Sequence, residues 1–249
     1  MKISATIVAL NEELNIARAI ESIRCVDEIL VIDSGSSDGT REVAARLGAR
    51  VIVEPWRGYA AQKNFASECA LHPWILSLDA DEAVSEELEA EVLELRRSGP
   101  QVNAYSMPRM AQYLGRWIRH SGWYPDRKVR LFERAHGQWV GRFVHESVRV
   151  AGTTGALKGN LLHFTCDSLS AHMASVDRYT TLAAQELRAD GTRVGVRRIA
   201  FDPAWTFVRT YLIQRGFLDG SQGFAIAWMA ALYTFLKYAK ARDADSASR

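Results

Sequence analysis

Apolar and polar positions alternate through the first hundred residues in a strand–helix rhythm. Residues 3–10 form an apolar run of strand length, and the polar break Asn11-Glu12-Glu13 opens a helix reaching about residue 23. Residues 28–32 read as a short buried strand closed by Asp33-Ser34-Gly35-Ser36-Ser37-Asp38-Gly39, which is turn vocabulary. Residues 40–47 predict a helix with Gly48 as its stop, and residues 50–53 a third strand. A helix over 59–70 and a fourth strand over 74–78 follow, and Ser85 caps a helix reaching Arg97. This β-α-β-α-β-α-β order predicts an α/β fold with a mostly parallel sheet covered on both faces. Ligands of such sheets sit outside the carboxyl ends of the strands, where Asn11, Asp33 and Asp79 all fall.

After residue 100 the pattern changes. Residues 102–107 and 128–133 read as strands separated by a long aromatic and basic loop carrying Arg109, Tyr113, Arg116, Trp117, Arg119, His120, Trp123 and Tyr124. Residues 139–150 and 156–164 continue in strand character, 168–187 predict a helix, and 188–198 form a basic connector. Two further helices are expected over 203–215 and 223–241, split by Gly216 and Asp219-Gly220. The domain reading is an α/β region 1–187, comprising a first half 1–100 and a second half 101–187. A helical extension 188–242 and a disordered tail 243–249 complete it.

Charge refines this division. The 249-residue chain carries +2 overall, but residues 188–249 hold ten basic against five acidic side chains, leaving residues 1–187 at −3. The stretch 220–236 is uncharged for 17 residues, yet only 224–236 is truly apolar, short of the roughly 20 residues a membrane span needs. Lys237, Lys240 and Arg242 follow directly, and Trp205, Phe207, Tyr211, Phe217, Trp228, Tyr233 and Phe235 supply aromatic bulk. The combination points to docking on an anionic membrane surface; the competing reading is a helix pair packed on the sheet or in a dimer contact. Cys25, Cys69 and Cys166, odd in number and widely spaced, form neither a disulfide framework nor a zinc pattern, and the N-terminus lacks the form of a signal peptide. The expected location is the cytoplasm, peripheral on the inner face of the membrane. Basic charge tied to apolar helices, without a groove-reading element, argues against a nucleic-acid partner.

The strongest chemical signal is Trp74-Ile75-Leu76-Ser77-Leu78-Asp79-Ala80-Asp81-Glu82, an apolar strand ending in Asp-x-Asp. Thirteen Asp residues produce roughly 0.7 such pairs by chance, and a second pair, Asp243-Ala244-Asp245, follows no strand. Context therefore carries the claim: hard carboxylate oxygens at a strand end suit Mg²⁺ or Mn²⁺ bridging a diphosphate. Asp33 can accept hydrogen bonds from a base or ribose, or simply stabilise its own turn. Neither a Gly-x-Gly-x-x-Gly nor a Gly-x-x-x-x-Gly-Lys-Ser/Thr motif is present, which argues against nicotinamide binding and nucleoside triphosphatase chemistry.

Ala9-Leu10-Asn11-Glu12-Glu13, the segment from Val31 to Thr40, Lys63-Asn64 and Leu78-Asp79-Ala80-Asp81-Glu82 together resemble glycosyltransferase family 2 in order and spacing. Trp123-Tyr124-Pro125-Asp126, Val129-Arg130-Leu131-Phe132, Val144-His145-Glu146, Gly216-Phe217-Leu218-Asp219-Gly220 and Tyr233-Thr234-Phe235-Leu236-Lys237-Tyr238 resemble its lipopolysaccharide inner-core branch. The resemblance implies a Rossmann-like GT-A sheet and inverting transfer from a nucleotide-sugar, such as UDP-glucose, to a lipid-linked saccharide. It also implies that Asn11, Glu12 and Asp33 hold the nucleoside, that Lys63 lies near the donor, and that Asp81 and Asp79 engage the metal–diphosphate.

The acceptor hydroxyl must lose a proton, so a carboxylate is required on its side. Glu146 is the first candidate and Asp126 the second; relatives carry Glu-Asp where this chain has His145-Glu146. As purely structural residues, Asp126 would pair with Arg127, Lys128 or Arg130, and Glu146 with Arg142 or Arg149. His145 and His163 are metal or diphosphate candidates, and Arg127, Lys128 and Arg130 could neutralise phosphate. Two other functions fit the same donor half: transfer to a polyprenyl-phosphate or another envelope polymer, and a non-catalytic nucleotide-sugar-binding membrane module.

Overall fold

The computed structural model describes residues 1–141 and 146–247. Its first strands and helices follow the expected order: β1 (Ile3–Ala9), α1 (Ile16–Glu21), β2 (Glu28–Asp33), α2 (Thr40–Arg46), β3 (Arg50–Val53), α3 (Tyr59–Cys69) and β4 (Trp74–Asp79). The four strands are parallel in the order β3-β2-β1-β4, with β1 in the middle. Alternate residues of these strands enter opposite layers, because side chains of a strand point to opposite faces. Ile3, Ala5, Ile7, Val31, Leu76 and Leu78 pack in one cluster with Ile16 and Ala19 of α1 and Ala44 of α2. Leu30, Ile32 and Ile75 pack in the other with Ala66 of α3. Each fully buried Ile or Leu contributes about 1.5–3 kcal/mol. The two-faced burial explains why these strands read as continuous apolar runs.

A short strand β5 (Glu82–Val84) leads into α4 (Glu86–Ser98), whose cap is Ser85, its side chain accepting from the Leu88 N–H. Then come β6 (Ala104–Tyr113), β7 (Arg116–Trp117), β8 (Asp126–Glu133), β9 (Gly137–Val140), β10 (Ser147–Val150), β11 (Thr154–Ala156) and β12 (Leu161–Cys166). β8 pairs antiparallel with β4 and with β6, extending the parallel half into a mixed sheet. β12 pairs antiparallel with β5. The expected long loop after residue 107 is shorter, because β6 runs on to Tyr113 and turns back through β7. Buried Met110, Ala111 and Tyr113 hold that extension inside the protein.

Compactness divides the chain into Met1–Met110 with Asp126–His163, and Ala111–Pro125 with the segment from Phe164 onward. The second unit contains α5 (Leu169–Ala189), α6 (Val196–Val208), a π-helical turn (Arg209–Ile213), a 3-10 turn (Gly216–Asp219) and α7 (Gly220–Ala247). α6 starts seven residues before Pro203, the expected helix start, and absorbs part of the basic connector, since Ile199 and Ala200 continue its apolar side beside α7. The buried Asp219 carboxylate accepts from the backbone N–H groups of Arg119 and His120. A Cβ on Gly223 would lie 1.8 Å from the Gly216 carbonyl oxygen, so only glycine allows that approach.

Gly159 sits against the start of α4, where an added Cβ would lie 2.2 Å from the Leu88 nitrogen. Gly159→Ala should therefore destabilise the protein by about 1–3 kcal/mol in denaturant unfolding; an unchanged midpoint would refute this close approach. Cys25 is buried and burial pushes its thiol up to about 11. It should resist alkylation at pH 8 in the folded protein and react once denaturant is added, as peptide mass mapping would show.

Candidate active site

Strand register assembles the rim. Val8 pairs with Asp79 on one side of β1, and Ala9 pairs with Asp33 on the other. Two carboxylates thus end the strands flanking β1, separated by two strand spacings of about 4.8 Å each. The loop between them is tied to β1's exit: the Asn11 N–H donates to Ser36 Oγ, and the Ser37 N–H donates to Asn11 Oδ1. Asn11 takes φ 57°, a left-handed backbone that Asn tolerates well. Asp33 is fully buried and its carboxylate accepts from the N–H groups of Gly35 and Ser36 and from the Ser36 hydroxyl. Its turn-stabilising role is therefore realised.

Glu12 donates its N–H to Thr40 Oγ1 and accepts from the Asn15 side chain. Burial pushes its carboxyl up against that Asn15 bond, and the charges of Asp81, Asp38 and Asp79 add to the rise. Glu12, Asp79 and Asp81 thus share one electrostatic neighbourhood.

At the end of β4 the carboxylates meet cations. Lys63 Nζ on α3 lies 2.7 Å from Asp79 Oδ1 and 2.9 Å from Glu146 Oε1. Arg130 Nη2 on β8 lies 2.7 Å from Asp79 Oδ2 and 2.8 Å from Glu82 Oε1. The second oxygen of Glu82 accepts from the Asp79 N–H, closing the Asp79–Glu82 turn. Trp139 lies beneath both cations, with Lys63 Nζ 4.5 Å and the Arg130 guanidinium 5.3 Å from its ring centre. Burial alone would raise the Asp79 carboxyl, but Arg130 and Lys63 override it and hold it well below the usual carboxylate range. Burial would lower Arg130, yet Asp79 and Glu82 hold it above its ordinary value. Lys63, Arg130 and Glu82 are buried but the Asp79 side chain is a third exposed, so removing one partner costs less than the roughly 3–5 kcal/mol of a wholly buried pair.

The network continues outward. Arg109 reaches Glu82 at 3.5 Å and Asp126 at 2.8 Å, and Lys128 holds the other Asp126 oxygen at 3.0 Å. Asp126 therefore has the Lys128 partner expected of a structural residue, with Arg109 added. Arg127 donates instead to the carbonyls of Ser106 and Leu157. Glu146 takes Lys63, a partner 83 positions away that no local pattern signals. Asp81 is a third exposed, as Asp79 is, but its carboxylate meets neither Lys63 nor Arg130; His163 Nε2 lies 3.1 Å from it. His145 lies outside the described residues. Sequence reasoning missed the pairing of Arg130 with Asp79, the linking role of Arg109, and Trp139. The Arg109–Asp126 pair was encoded only in the register of β6 on β8.

No group of three or more His, Cys, Asp or Glu side chains among the described residues forms a ready metal cage. The donor chemistry nevertheless fits Mg²⁺ or Mn²⁺, which bind through one or two carboxylates and take other ligands from phosphate and water. Asp81 is accessible for that role, while Asp79 would have to exchange part of its hold on Lys63 and Arg130.

The family model described as glycosyl transferase family 2 matches residues 4–151, which contain all the charged groups above except His163. The chain is 33% identical to the lipopolysaccharide core biosynthesis glycosyltransferase LpsC of Rhizobium meliloti, over 96% of this chain and 92% of that protein. It is 32% identical to an uncharacterized glycosyltransferase of Rickettsia typhi, over 100% of this chain and 89% of the relative. A glucosyl-3-phosphoglycerate synthase from Mycobacterium tuberculosis, solved with Mn²⁺, UDP and glucosyl-3-phosphoglycerate, is 26% identical over 46% of this chain and 44% of that one. Its TM-score of 0.35 is too low to assign a ligand here. With its rim, its charged cluster and more than half its length matched by one model, the chain belongs to glycosyl transferase family 2.

Proposed function

We propose that the protein is an inverting, metal-dependent glycosyltransferase that moves a hexose from a UDP-sugar such as UDP-glucose to a lipid-linked saccharide of the lipopolysaccharide inner core. The observation that carries this reading is the Lys63 ammonium shared between Asp79 on the donor rim and Glu146. The acceptor class rests on the likeness to LpsC along nearly the whole chain.

Asn11, Glu12 and Asp33 form the nucleoside end of the site, Asp33 by fixing the turn at Gly35 and Ser36. Asp81 and Asp79 are the residues that would hold Mg²⁺ or Mn²⁺, with His163 beside Asp81. The cation, when bound, supplies Lewis-acid stabilisation of the charge that develops on the departing diphosphate. Lys63 is a second positive charge for the same diphosphate, and its hold on Asp79 keeps that carboxylate oriented before the donor arrives. Glu146 takes the proton of the attacking hydroxyl. It is preferred to Asp126 because Arg109 and Lys128 engage both Asp126 oxygens.

The same reading places the enzyme on the inner, anionic membrane surface through its C-terminal helices. Among the described residues no helix is long and apolar enough to cross a membrane, while Phe201, Trp205, Leu212, Phe217, Phe224 and Trp228 are exposed. Large exposed apolar patches mark contact surfaces.

Glu146→Gln should lower kcat by about 10²–10⁴ and leave donor KM within about twofold, whereas Asp126→Asn should cost much less. The reverse ranking would move the base to Asp126. Asp81→Asn should abolish Mn²⁺-stimulated turnover, and unchanged turnover would remove Asp81 from the metal site. The protein should co-sediment with vesicles rich in phosphatidylglycerol and much less with neutral vesicles; a protein wholly in the supernatant of both would contradict membrane docking.

A further inference from the structure

α6 contains no buried residue, although it is apolar along most of its length. Its partner is α7, and the two helices leave an apolar groove of about 790 Å³. Ile199, Pro203, Phe207, Trp228, Leu232 and Phe235 line it. That volume falls within the roughly 300–1,000 Å³ of small-ligand pockets. Beside it, Phe201, Trp205, Val208 and Leu212 recur at spacings of four, three and four on one exposed face.

The groove's Ile199 end is cationic. Arg198 precedes Ile199, and the Tyr238 ring receives both the Arg198 guanidinium at 6.0 Å and Lys237 Nζ at 4.6 Å. Asp202 also faces Lys237. A second hollow of about 410 Å³ shares Ile199 and is lined by Lys240, Arg242 and Asp243. Lys240 is already held by Asp177, Thr180 and Thr181; Arg198 and Lys237 on the Tyr238 ring, with Arg242 in the second hollow, are the other cations at this end. An apolar channel with a positive mouth matches one kind of molecule, an amphiphile with a negative head.

We propose that this groove binds one acyl chain of an anionic membrane lipid, its headgroup meeting Arg198 and Lys237, and thereby anchors the enzyme on the bilayer. The assignment rests on the membrane-docking reading and deepens it by naming the lipid site. A second copy of the chain is the less favoured occupant, because a two-fold contact would bring a segment of charge +5 against itself.

The probe is lysophosphatidylglycerol with a brominated acyl chain, kept below its micelle concentration and titrated into the full-length protein. Saturable quenching of tryptophan emission is expected, and most of it should vanish in Trp228→Phe. Ala204→Trp, which fills the groove, should weaken binding by more than about tenfold. Ala200→Trp replaces it if thermal melting shows the first variant poorly folded. Lys237→Gln should weaken the anionic probe about fivefold and a zwitterionic lysophosphatidylcholine by less than about twofold. Absence of saturable quenching in the wild type, or wild-type affinity in both filled variants, would overturn the proposal. So would concentration-dependent dimerisation that blocks the probe. Vesicle co-sedimentation without quenching by the probe would preserve the docking reading and sink the lipid site. Quenching without co-sedimentation would overturn the anchoring role.

Discussion

The end of β4 depends on the neutralisation of a dense group of carboxylates. Asp79, Glu82 and Glu146 would repel one another if Lys63 and Arg130 did not stand between them. Desolvation makes each unpaired charge expensive, so α3, β4 and β8 must arrive together to bring compensating partners. Trp139 completes the arrangement from the next hairpin with an aromatic face that both cations share. Packing and charge balance are thus the same constraint at this point in the fold.

Under the proposed transfer, departure of a nucleoside diphosphate would add negative charge where the protein already holds cations. Preorganised positive groups stabilise such charge without reorganising at the moment of reaction. Asp81 is paired only with His163 among the contacts described, whereas Asp79, equally exposed, is held by two cations. Asp33, by contrast, directs its hydrogen bonds to its own turn and so fixes the shape of the loop.

The edge of carboxylates at the strand ends was legible because its signals are local. An apolar run ending in Asp79, the Asp33 turn and the Ser85 cap each appear within a few residues of sequence, and the parallel order follows from their alternation. The cation partners were not legible because they are set by long-range register. Lys63 meets Glu146 across 83 positions, and Arg130 meets Asp79 only because β8 pairs antiparallel with β4. The run of β6 to Tyr113 was hidden by Pro108 and Arg109, which interrupt the apolar pattern while remaining in the ladder with β8. The helical extension was visible in outline, but the start of α6 was misplaced because Pro203 reads as a first-turn residue and here lies inside the helix.

The most direct measurement is a crystal of the protein soaked with UDP and Mn²⁺, with the metal located by its anomalous signal. The account requires Mn²⁺ about 2.1 Å from an Asp81 oxygen, with UDP running along the edge from Asp79 toward Asp33. A nucleotide bound away from that edge, or a metal that leaves Asp81 untouched, would contradict it.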